Sequence, residues 1–214
     1  MPHTSGFWPQ GLYAITPDEA DTERLLALSE AVLRGGAGAL QYRNKTADTA
    51  LALKQARALR ALTHRFNVPF IVNDSIECAL AADADAIHVG EADPPISELR
   101  ASIGQRMRIG ASCYGSLERA AAVIAEGADY IAFGGFYPSR VKKYPVTTPL
   151  DTLTKARRYG VPVVAIGGIT AENALPMIKA GADAVGVISG IYSAADPEAA
   201  ARKIAALFAG STGP

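Results

Sequence analysis

In the stretch Gly127-Ala-Asp-Tyr-Ile-Ala-Phe133, the first three residues end a helical pattern and the next four form an apolar run of strand length. The same three residues recur at 181–183 before another apolar run, and a related Ala-Asp-Ala stands at 84–86. Glycine just past a helical pattern is a typical helix stop, and a short apolar run between turns is typical of a buried strand. Repeated alternation of this kind predicts a parallel sheet with helices outside it.

The alternation extends over the whole chain and predicts eight strands, each followed by a helix. The strands are predicted at residues 13–16, 40–43, 70–74, 86–89, 108–112, 130–133, 163–166 and 184–188. The helices are predicted at residues 18–34, 46–66, 75–82, 96–103, 117–126, 152–159, 171–180 and 197–208. Eight such units in a chain of 214 residues predict a closed (β/α)8 TIM barrel. The alternative, an open doubly wound sheet, usually has a glycine-rich first turn, whereas Thr16-Pro-Asp18 contains no glycine.

This barrel is expected to form one domain over residues 1–214, with flexible tails at 1–11 and 210–214. Lys plus Arg and Asp plus Glu are equal, at 21 each, which argues against general binding of nucleic acid or of an anionic membrane. The start of the chain lacks the basic and apolar regions of a signal peptide, and no apolar run reaches membrane-spanning length. Two isolated cysteines, Cys78 and Cys113, are typical of a reduced, cytoplasmic protein.

Polar residues collect after the predicted strands, at the barrel rim where active sites of this fold lie. In Ala-Leu-Gln-Tyr-Arg-Asn-Lys (39–45), strand alternation sets Gln41 and Arg43 on the face opposite to Leu40 and Tyr42. Burying such polar groups is costly without a partner, so an anionic ligand is one explanation. A solvated edge strand is the other, and the stretch alone leaves both open.

The loops after strands seven and eight contain Gly167-Gly168 and Ser189-Gly190. Small residues let backbone N–H groups converge on a phosphate, and this fold often binds phosphate at that place. The alternative is that these glycines only form tight turns. Two such loops on adjacent strands favour a phosphate pocket.

Two carboxylates, Asp74 and Asp93, follow strands three and four. Together with Asn73 they suggest Mg²⁺ bridging to phosphate oxygens, since Mg²⁺ commonly takes one or two protein carboxylates. The alternatives are a helix cap for Asp74, with Glu77 as its capping-box partner, and a turn for Asp93. His88, inside a strand, is expected to be a hydrogen-bonded core residue rather than a metal ligand.

These residues resemble the thiamine phosphate synthase family in order and spacing, over about residues 12–208. The motifs that carry the resemblance are Gln41-Tyr-Arg-Asn-Lys45, Val72-Asn-Asp74, His88-Val-Gly90 with Asp93, Gly110-Ala-Ser112, Tyr137-Pro-Ser139 with Lys142, Ile166-Gly-Gly-Ile-Thr170 and Val187-Ile-Ser189. The resemblance implies that 4-amino-2-methyl-5-(diphosphooxymethyl)pyrimidine is joined to a carboxylated thiazole phosphate, giving thiamine phosphate and diphosphate. It implies small-molecule substrates as partners and one Mg²⁺ per subunit, and it leaves a homo-oligomer open.

The resemblance also implies a role for each matching residue. The pyrimidine diphosphate would be held by Gln41, Arg43, Lys45, Asn73 and Lys142, with Tyr42 and Asn44 also binding substrate. Asp74 and Asp93 would bind Mg²⁺, and Ser112 would contact the pyrimidine. The thiazole phosphate would be held by Ser139, Arg140, Val141, Gly168, Ile188 and Ser189. Arg43, Lys45, Lys142 and Ser112 would be catalytic, with the cations neutralising the departing diphosphate and no protein nucleophile required.

Two departures and three alternatives qualify the resemblance. Val141 stands where the family often has threonine, so a phosphate contact there would use its backbone, and Glu91 stands where glutamine is frequent. A thiazole tautomerase of the same barrel family would not need the diphosphate grip. A non-catalytic phosphate-ligand sensor is the alternative outside the enzymes, and an epimerase type of barrel would need several metal-binding histidines.

Overall fold

The protein, described here by a computed structural model over residues 9–138 and 147–209, is a closed barrel of parallel strands. Neighbours in sequence are neighbours in the barrel, and β8 pairs with β1 to close it. The strands are β1 Gly11–Ile15, β2 Ala37–Tyr42, β3 Phe70–Asn73, β4 Ala86–Val89, β5 Arg108–Tyr114, β6 Tyr130–Phe133, β7 Val163–Ile166 and β8 Ala184–Val187. The predicted TIM barrel is therefore confirmed and the open-sheet alternative is wrong. Gly11 lies in β1, inside the predicted tail, and the predicted tail 210–214 lies outside the described residues.

Helices surround the barrel in the predicted order. They are α1 Thr22–Arg34, α2 Thr49–Phe66, α3 Ile76–Ala81, α4 Ile96–Ile103, α5 Leu117–Ala125, α6 Asp151–Ala156, α7 Ala174–Lys179, α8 Ser189–Tyr192 and α9 Pro197–Ala209. A 3₁₀ turn, Arg157–Tyr159, continues α6. No helix in the described part of the chain is both long enough and apolar enough to cross a membrane.

Several helix and strand ends differ from the predicted ones. Helices α1 and α2 begin later than predicted because Asp21 and Asp48 accept hydrogen bonds from the first-turn N–H groups of each helix. Strand β5 extends two residues further, to Tyr114, through a bulge against β6. The four-residue helix α8 was not predicted, since it occupies a loop that the sequence pattern assigned to a turn.

The Gly-Ala-Asp sequence has a structural reason. Its glycine ends a helix at positive φ, at +108° for Gly127 and +106° for Gly181. Its aspartate then accepts a backbone N–H from the first or second residue of the preceding strand of the barrel. The three pairs are Asp85 with Phe70 (2.8 Å), Asp129 with Ile109 (2.7 Å) and Asp183 with Val163 (2.8 Å). The first copy is Asp83-Ala84-Asp85, one residue earlier than the predicted Ala-Asp-Ala, and Asp83 replaces the glycine at φ +53°.

Apolar side chains form two layers. The outer layer fills the space between strands and helices, and the inner layer fills the barrel. Inside the barrel, small residues leave space for two phenol rings, those of Tyr13 and Tyr130, which meet edge to face with their centroids 6.2 Å apart. The inner layer consists of Tyr13, Ala39, Ile71, Ala86, Tyr130, Ala132, Val164 and Ala184.

Candidate active site

Strand β2 turns alternate side chains inward and outward, as predicted. Gln41 is 2% exposed, and its Nε2 donates to Tyr13 Oη inside the barrel at 2.9 Å. Tyr42 lies in the outer layer, where its hydroxyl donates to Gln55 at 2.9 Å. Because β2 pairs with both β1 and β3, the solvated edge-strand alternative is wrong. The side chain of Tyr42 points away from the barrel interior, and its contact with substrate stays a prediction.

Acidic residues hold the two cations that follow β2. Arg43, whose side chain is 10% exposed, donates from Nη1 to Asp18 Oδ1 at 3.0 Å. The same Asp18 oxygen accepts the backbone N–H of Lys45 at 2.7 Å. The ammonium group of Lys45 bonds the carboxylate of Asp74. The loops after β1, β2 and β3 therefore meet at one place on the barrel rim.

Asn44 has a role in holding this loop. Its amide nitrogen donates to the Glu19 carbonyl at 2.7 Å and to Gln55 Oε1 at 3.1 Å, and its amide oxygen accepts from Thr46. These bonds occupy both ends of the amide. Thr16 fixes the start of the same loop, because its hydroxyl accepts the N–H of Arg43 and donates to the Arg43 carbonyl, each at 2.8 Å.

The two predicted metal-binding carboxylates come together. Asp74 has a φ of +64°, which is uncommon for a residue with a side chain, and its N–H donates to the His88 carbonyl at 2.9 Å. Asp93 Oδ2 accepts the N–H of Gly90 at 2.6 Å, which closes the turn after β4. Burial raises the pKa of the Asp93 carboxyl above its ordinary value, and the neighbouring negative charge of Asp74 raises it further, whereas Lys45 opposes this shift.

The helix-cap alternative for Asp74 is wrong. Ser75 is the N-cap of α3 and accepts the N–H of Cys78 at 3.1 Å, and its hydroxyl also contacts Glu77 at 3.2 Å. The turn alternative for Asp93 is confirmed, and the turn leaves Asp93 beside Asp74. Within residues 9–138 and 147–209, no cluster of three or more His, Cys, Asp or Glu side chains could hold a metal ion. Among the described residues of this rim, a carboxylate pair is therefore the largest such grouping.

His88 is buried and hydrogen-bonded inside the barrel, as predicted. It is 4% exposed, its Nδ1 lies 3.0 Å from Tyr130 Oη and its Nε2 lies 2.9 Å from Ser112 Oγ. Ser112 is half-buried near the carboxyl end of β5, and its carbonyl accepts from Arg119 at 2.8 Å. The predicted pyrimidine contact therefore lies at the end of a hydrogen-bonded series that begins in the core.

The loops after β7 and β8 contact each other, and the β7 loop also contacts the first part of the loop after β6. A Cβ on Gly190 would lie 2.7 Å from the Ile169 carbonyl oxygen, and one on Gly168 would lie 2.3 Å from that of Pro138. Gly168 also has a φ of +65°, and its carbonyl accepts from Asn173 at 3.0 Å. The glycines thus form tight turns, as the alternative predicts, and Gly168, Ile188 and Ser189 are half-buried in these loops. Their phosphate contact stays a prediction.

Four predicted residues of the loop after β6, Ser139, Arg140, Val141 and Lys142, lie outside the described residues. Both flanks of that loop meet at the rim. Pro138 approaches Gly168, and on the other side Thr148 donates to the Gly134 carbonyl at 2.5 Å. The roles of these four residues stay predictions.

Several residues of the site were not predicted from the sequence. Asp18 was seen only as part of the first turn, although a position after a barrel strand is itself a signal of a rim residue. Tyr114 has a φ of +54° next to the bulge in β5, and its hydroxyl accepts the N–H of Glu91 at 3.2 Å. The sequence pattern assigned Tyr13 and Tyr130 to apolar strands without a role for their hydroxyls, which only the closed barrel brings together.

Known proteins with similar sequences share one activity by name. A family model described as thiamine monophosphate synthase matches residues 12–191. The thiamine-phosphate synthase of Janthinobacterium sp. (strain Marseille) is 52% identical over 200 residues, which are 93% of this chain and 97% of that protein. The thiamine-phosphate synthase of Methylobacillus flagellatus is also 52% identical, over 93% of this chain and 95% of its own length.

Solved structures agree with these sequence matches. The thiamine phosphate pyrophosphorylase of Pyrococcus furiosus superposes with a TM-score of 0.85 at 35% identity, over 95% of this chain and 98% of that one. A 3-hexulose-6-phosphate synthase from Salmonella typhimurium, at 20% identity and a TM-score of 0.70, shares the fold alone.

Proposed function

Because the chain belongs to the thiamine monophosphate synthase family, we propose that it is the transferase that makes thiamine phosphate. It joins 4-amino-2-methyl-5-(diphosphooxymethyl)pyrimidine to a carboxylated thiazole phosphate. The C–O bond to diphosphate breaks and a C–N bond to the thiazole forms. The thiazole carboxylate leaves as CO₂, and a proton from solvent takes its place on the ring carbon. The observation that carries the proposal is the meeting of Arg43, Lys45, Asp74 and Asp93 at one end of the barrel.

The cations act on the leaving group. As the C–O bond breaks, negative charge grows on the diphosphate oxygen, and charges already held near that oxygen stabilise the transition state more than the ground state. Arg43 suits this role because Asp18 holds its guanidinium at a 10% exposed position. Lys45 suits it because its ammonium group lies against Asp74. Lys142 is proposed to join them.

The carboxylate pair fits one magnesium ion per subunit. Asp74 and Asp93 bring two negative charges together at a place where burial already disfavours the charge of Asp93, and a divalent cation would relieve both effects. Two protein carboxylates with substrate phosphate oxygens and water are a common magnesium coordination. When bound, the ion would neutralise diphosphate charge as a Lewis acid. Asn73 would bind the diphosphate beside it.

The second substrate is held by the opposite loops. Gly168, Ile188 and Ser189 would bind the thiazole phosphate together with residues 139–141. Holding the thiazole nitrogen near the electrophilic carbon makes the attack effectively intramolecular. No protein nucleophile is needed. Cys113, next to Ser112, is unsuited to that role, since burial raises the pKa of its thiol to about 12 and its Sγ contacts the Ala111 carbonyl at 3.7 Å.

The direct test is incubation of the protein with both substrates and Mg²⁺, followed by mass detection of thiamine phosphate and diphosphate. Asp93→Asn is the matched variant, because it keeps the side-chain shape and removes the charge. We expect product with the unaltered protein and little with the variant. Isomerisation of the thiazole phosphate alone would support the tautomerase alternative, and binding of both substrates without product would support the sensor alternative. The cytoplasmic location and a homo-oligomer stay predictions.

A further inference from the structure

Five polar side chains from five different strands form one continuous hydrogen-bonded chain across the inside of the barrel. Gln41 Nε2 lies 2.9 Å from Tyr13 Oη, and Tyr13 Oη lies 2.8 Å from Tyr130 Oη. Tyr130 Oη lies 3.0 Å from His88 Nδ1, and His88 Nε2 lies 2.9 Å from Ser112 Oγ. Both phenols are fully buried. The two ends of this chain, Gln41 and Ser112, are residues that the family resemblance assigns to the pyrimidine diphosphate substrate.

The chain has a direction. A hydroxyl oxygen can accept two hydrogen bonds, so the distances alone do not set the order of donors. With the Gln41 amide N–H donating to Tyr13, the order that gives every hydroxyl hydrogen a partner has Tyr13 donate to Tyr130. Tyr130 in turn donates to His88 Nδ1, and a neutral histidine that accepts at Nδ1 carries its hydrogen on Nε2. His88 Nε2 then donates to Ser112 Oγ. The result is that Ser112 keeps its hydroxyl hydrogen for a ligand, and Gln41 keeps its carbonyl oxygen as an acceptor.

The barrel is built to let this chain form. A Cβ on Gly110 would lie 1.9 Å from Cζ of Tyr130 and 2.3 Å from its hydroxyl oxygen, so a residue with a side chain at 110 would displace the phenol. Burial raises the pKa of Tyr13 and of Tyr130 above the ordinary value for tyrosine, which keeps both hydroxyls protonated as donors. Glycine at 110 and protonated phenols thus preserve the order of donors and acceptors.

We propose that Tyr13, Tyr130 and His88 are positioning residues that make Ser112 a hydrogen-bond donor and Gln41 an acceptor. This order of donor and acceptor selects a 4-aminopyrimidine over a 4-oxopyrimidine, an inference that rests on the proposed function. An aminopyrimidine offers an N–H donor on its exocyclic amino group and acceptors on its ring nitrogens, which complements this order. A 4-oxopyrimidine offers an exocyclic acceptor and a ring N–H. Binding it in the same pose would oppose donor to donor and acceptor to acceptor, which costs far more than a missing contact.

Tyr130→Phe tests the proposal, because it removes one hydroxyl from the middle of the chain and keeps the ring that fills the barrel. The measured quantity is the ratio of kcat/KM for the 4-amino substrate to that for its 4-oxo analogue. We expect the ratio to fall by roughly 10- to 100-fold, with the KM for thiazole phosphate little changed. Tyr13→Phe should act in the same direction. Tyr192→Phe is the matched control, since it removes a buried hydroxyl that contacts Ser29 at 3.2 Å outside the barrel interior.

Binding separates this inference from the proposed function. Calorimetry with 4-amino-5-hydroxymethyl-2-methylpyrimidine and its 4-oxo counterpart needs no metal, no diphosphate and no turnover. Preference for the amino ring that is lost in Tyr130→Phe supports the inference even if no thiamine phosphate forms. If the unaltered protein makes thiamine phosphate but Tyr130→Phe keeps its discrimination, or loses both ligands equally, the inference is wrong and the proposed function stands.

Discussion

Replacement of Asp183 by alanine tests whether the aspartates of the Gly-Ala-Asp sequences stabilise the barrel. Each accepts a backbone N–H near the start of a neighbouring strand. Asp183 Oδ2 accepts the N–H of Val163 at 2.8 Å, and Val163 is fully buried. In Asp183→Ala that N–H loses its acceptor in a place that water reaches poorly. A buried unsatisfied N–H costs about 1–3 kcal/mol, so the free energy of unfolding should fall by about 2 kcal/mol.

Two comparison variants separate the hydrogen bond from charge. Asp183→Asn keeps an acceptor oxygen, so it should lose less than half as much as Asp183→Ala. Asp129→Ala removes both the Ile109 N–H bond at 2.7 Å and the Arg100 ion pair at 2.5 Å, and it should cost about 2–4 kcal/mol. No ion pair among the described residues involves Asp183, which makes it the simpler site.

Urea unfolding followed by circular dichroism measures these differences as shifts in midpoint at a common slope. If Asp183→Ala stays within about 0.5 kcal/mol of the unaltered protein, the range typical of surface substitutions, the Val163 N–H does not need this acceptor. If Asp183→Asn destabilises as much as Asp183→Ala, the hydrogen bond is not the cause, because the asparagine retains the acceptor.

Three further predictions concern the site. Chelation of Mg²⁺, or Asp93→Ala, should abolish coupling of the two substrates, and full turnover in chelator would show that the metal assignment is wrong. Arg43→Ala should lower kcat by more than it raises the KM for thiazole phosphate, since the guanidinium is assigned to the departing diphosphate; equal effects in steady-state kinetics would contradict this. Gly168→Ala should raise the KM for thiazole phosphate roughly 10-fold or more, because its Cβ would lie 2.3 Å from the Pro138 carbonyl oxygen. Gly160→Ala is its control, with a φ of +71° but no atom within 4 Å of the added Cβ, and similar KM values for the two variants would remove the steric argument.

Hydrophobic periodicity was sufficient to predict the barrel, because each strand is a short apolar run between two helical patterns. Gly-Ala-Asp sequences mark two of the boundaries between a helix and the next strand. The strand at 130–133 and the helix at 96–103 have the predicted bounds. Helix starts were predicted less accurately. The sequence does not show where the backbone before the helix becomes extended, and this decides that Asp21 and Asp48 are the N-cap residues. Helix α8 was missed because four residues are too few for a periodic signal.

The site was predictable where strand ends determine position. Gln41 and Asp93 were assigned from their place after a strand and from a family resemblance. The partnership of Tyr13 with Tyr130, which are 117 residues apart, depends on barrel closure and has no local signal. Asp18 and Tyr114 were missed for a similar reason, as their roles come from loops that only three-dimensional packing brings together.

The closing contacts join the first and last parts of the chain. Strand β8 pairs with β1, and α9 packs so closely on the end of α1 that a Cβ on Gly35 would lie 2.5 Å from the Cβ of Ala201. During synthesis, β1 therefore has an unpaired edge until β8 has been translated. A ribosome that stalls before β8 emerges would hold a nascent polypeptide that exposes this edge, which is the kind of surface that chaperones bind and that promotes aggregation.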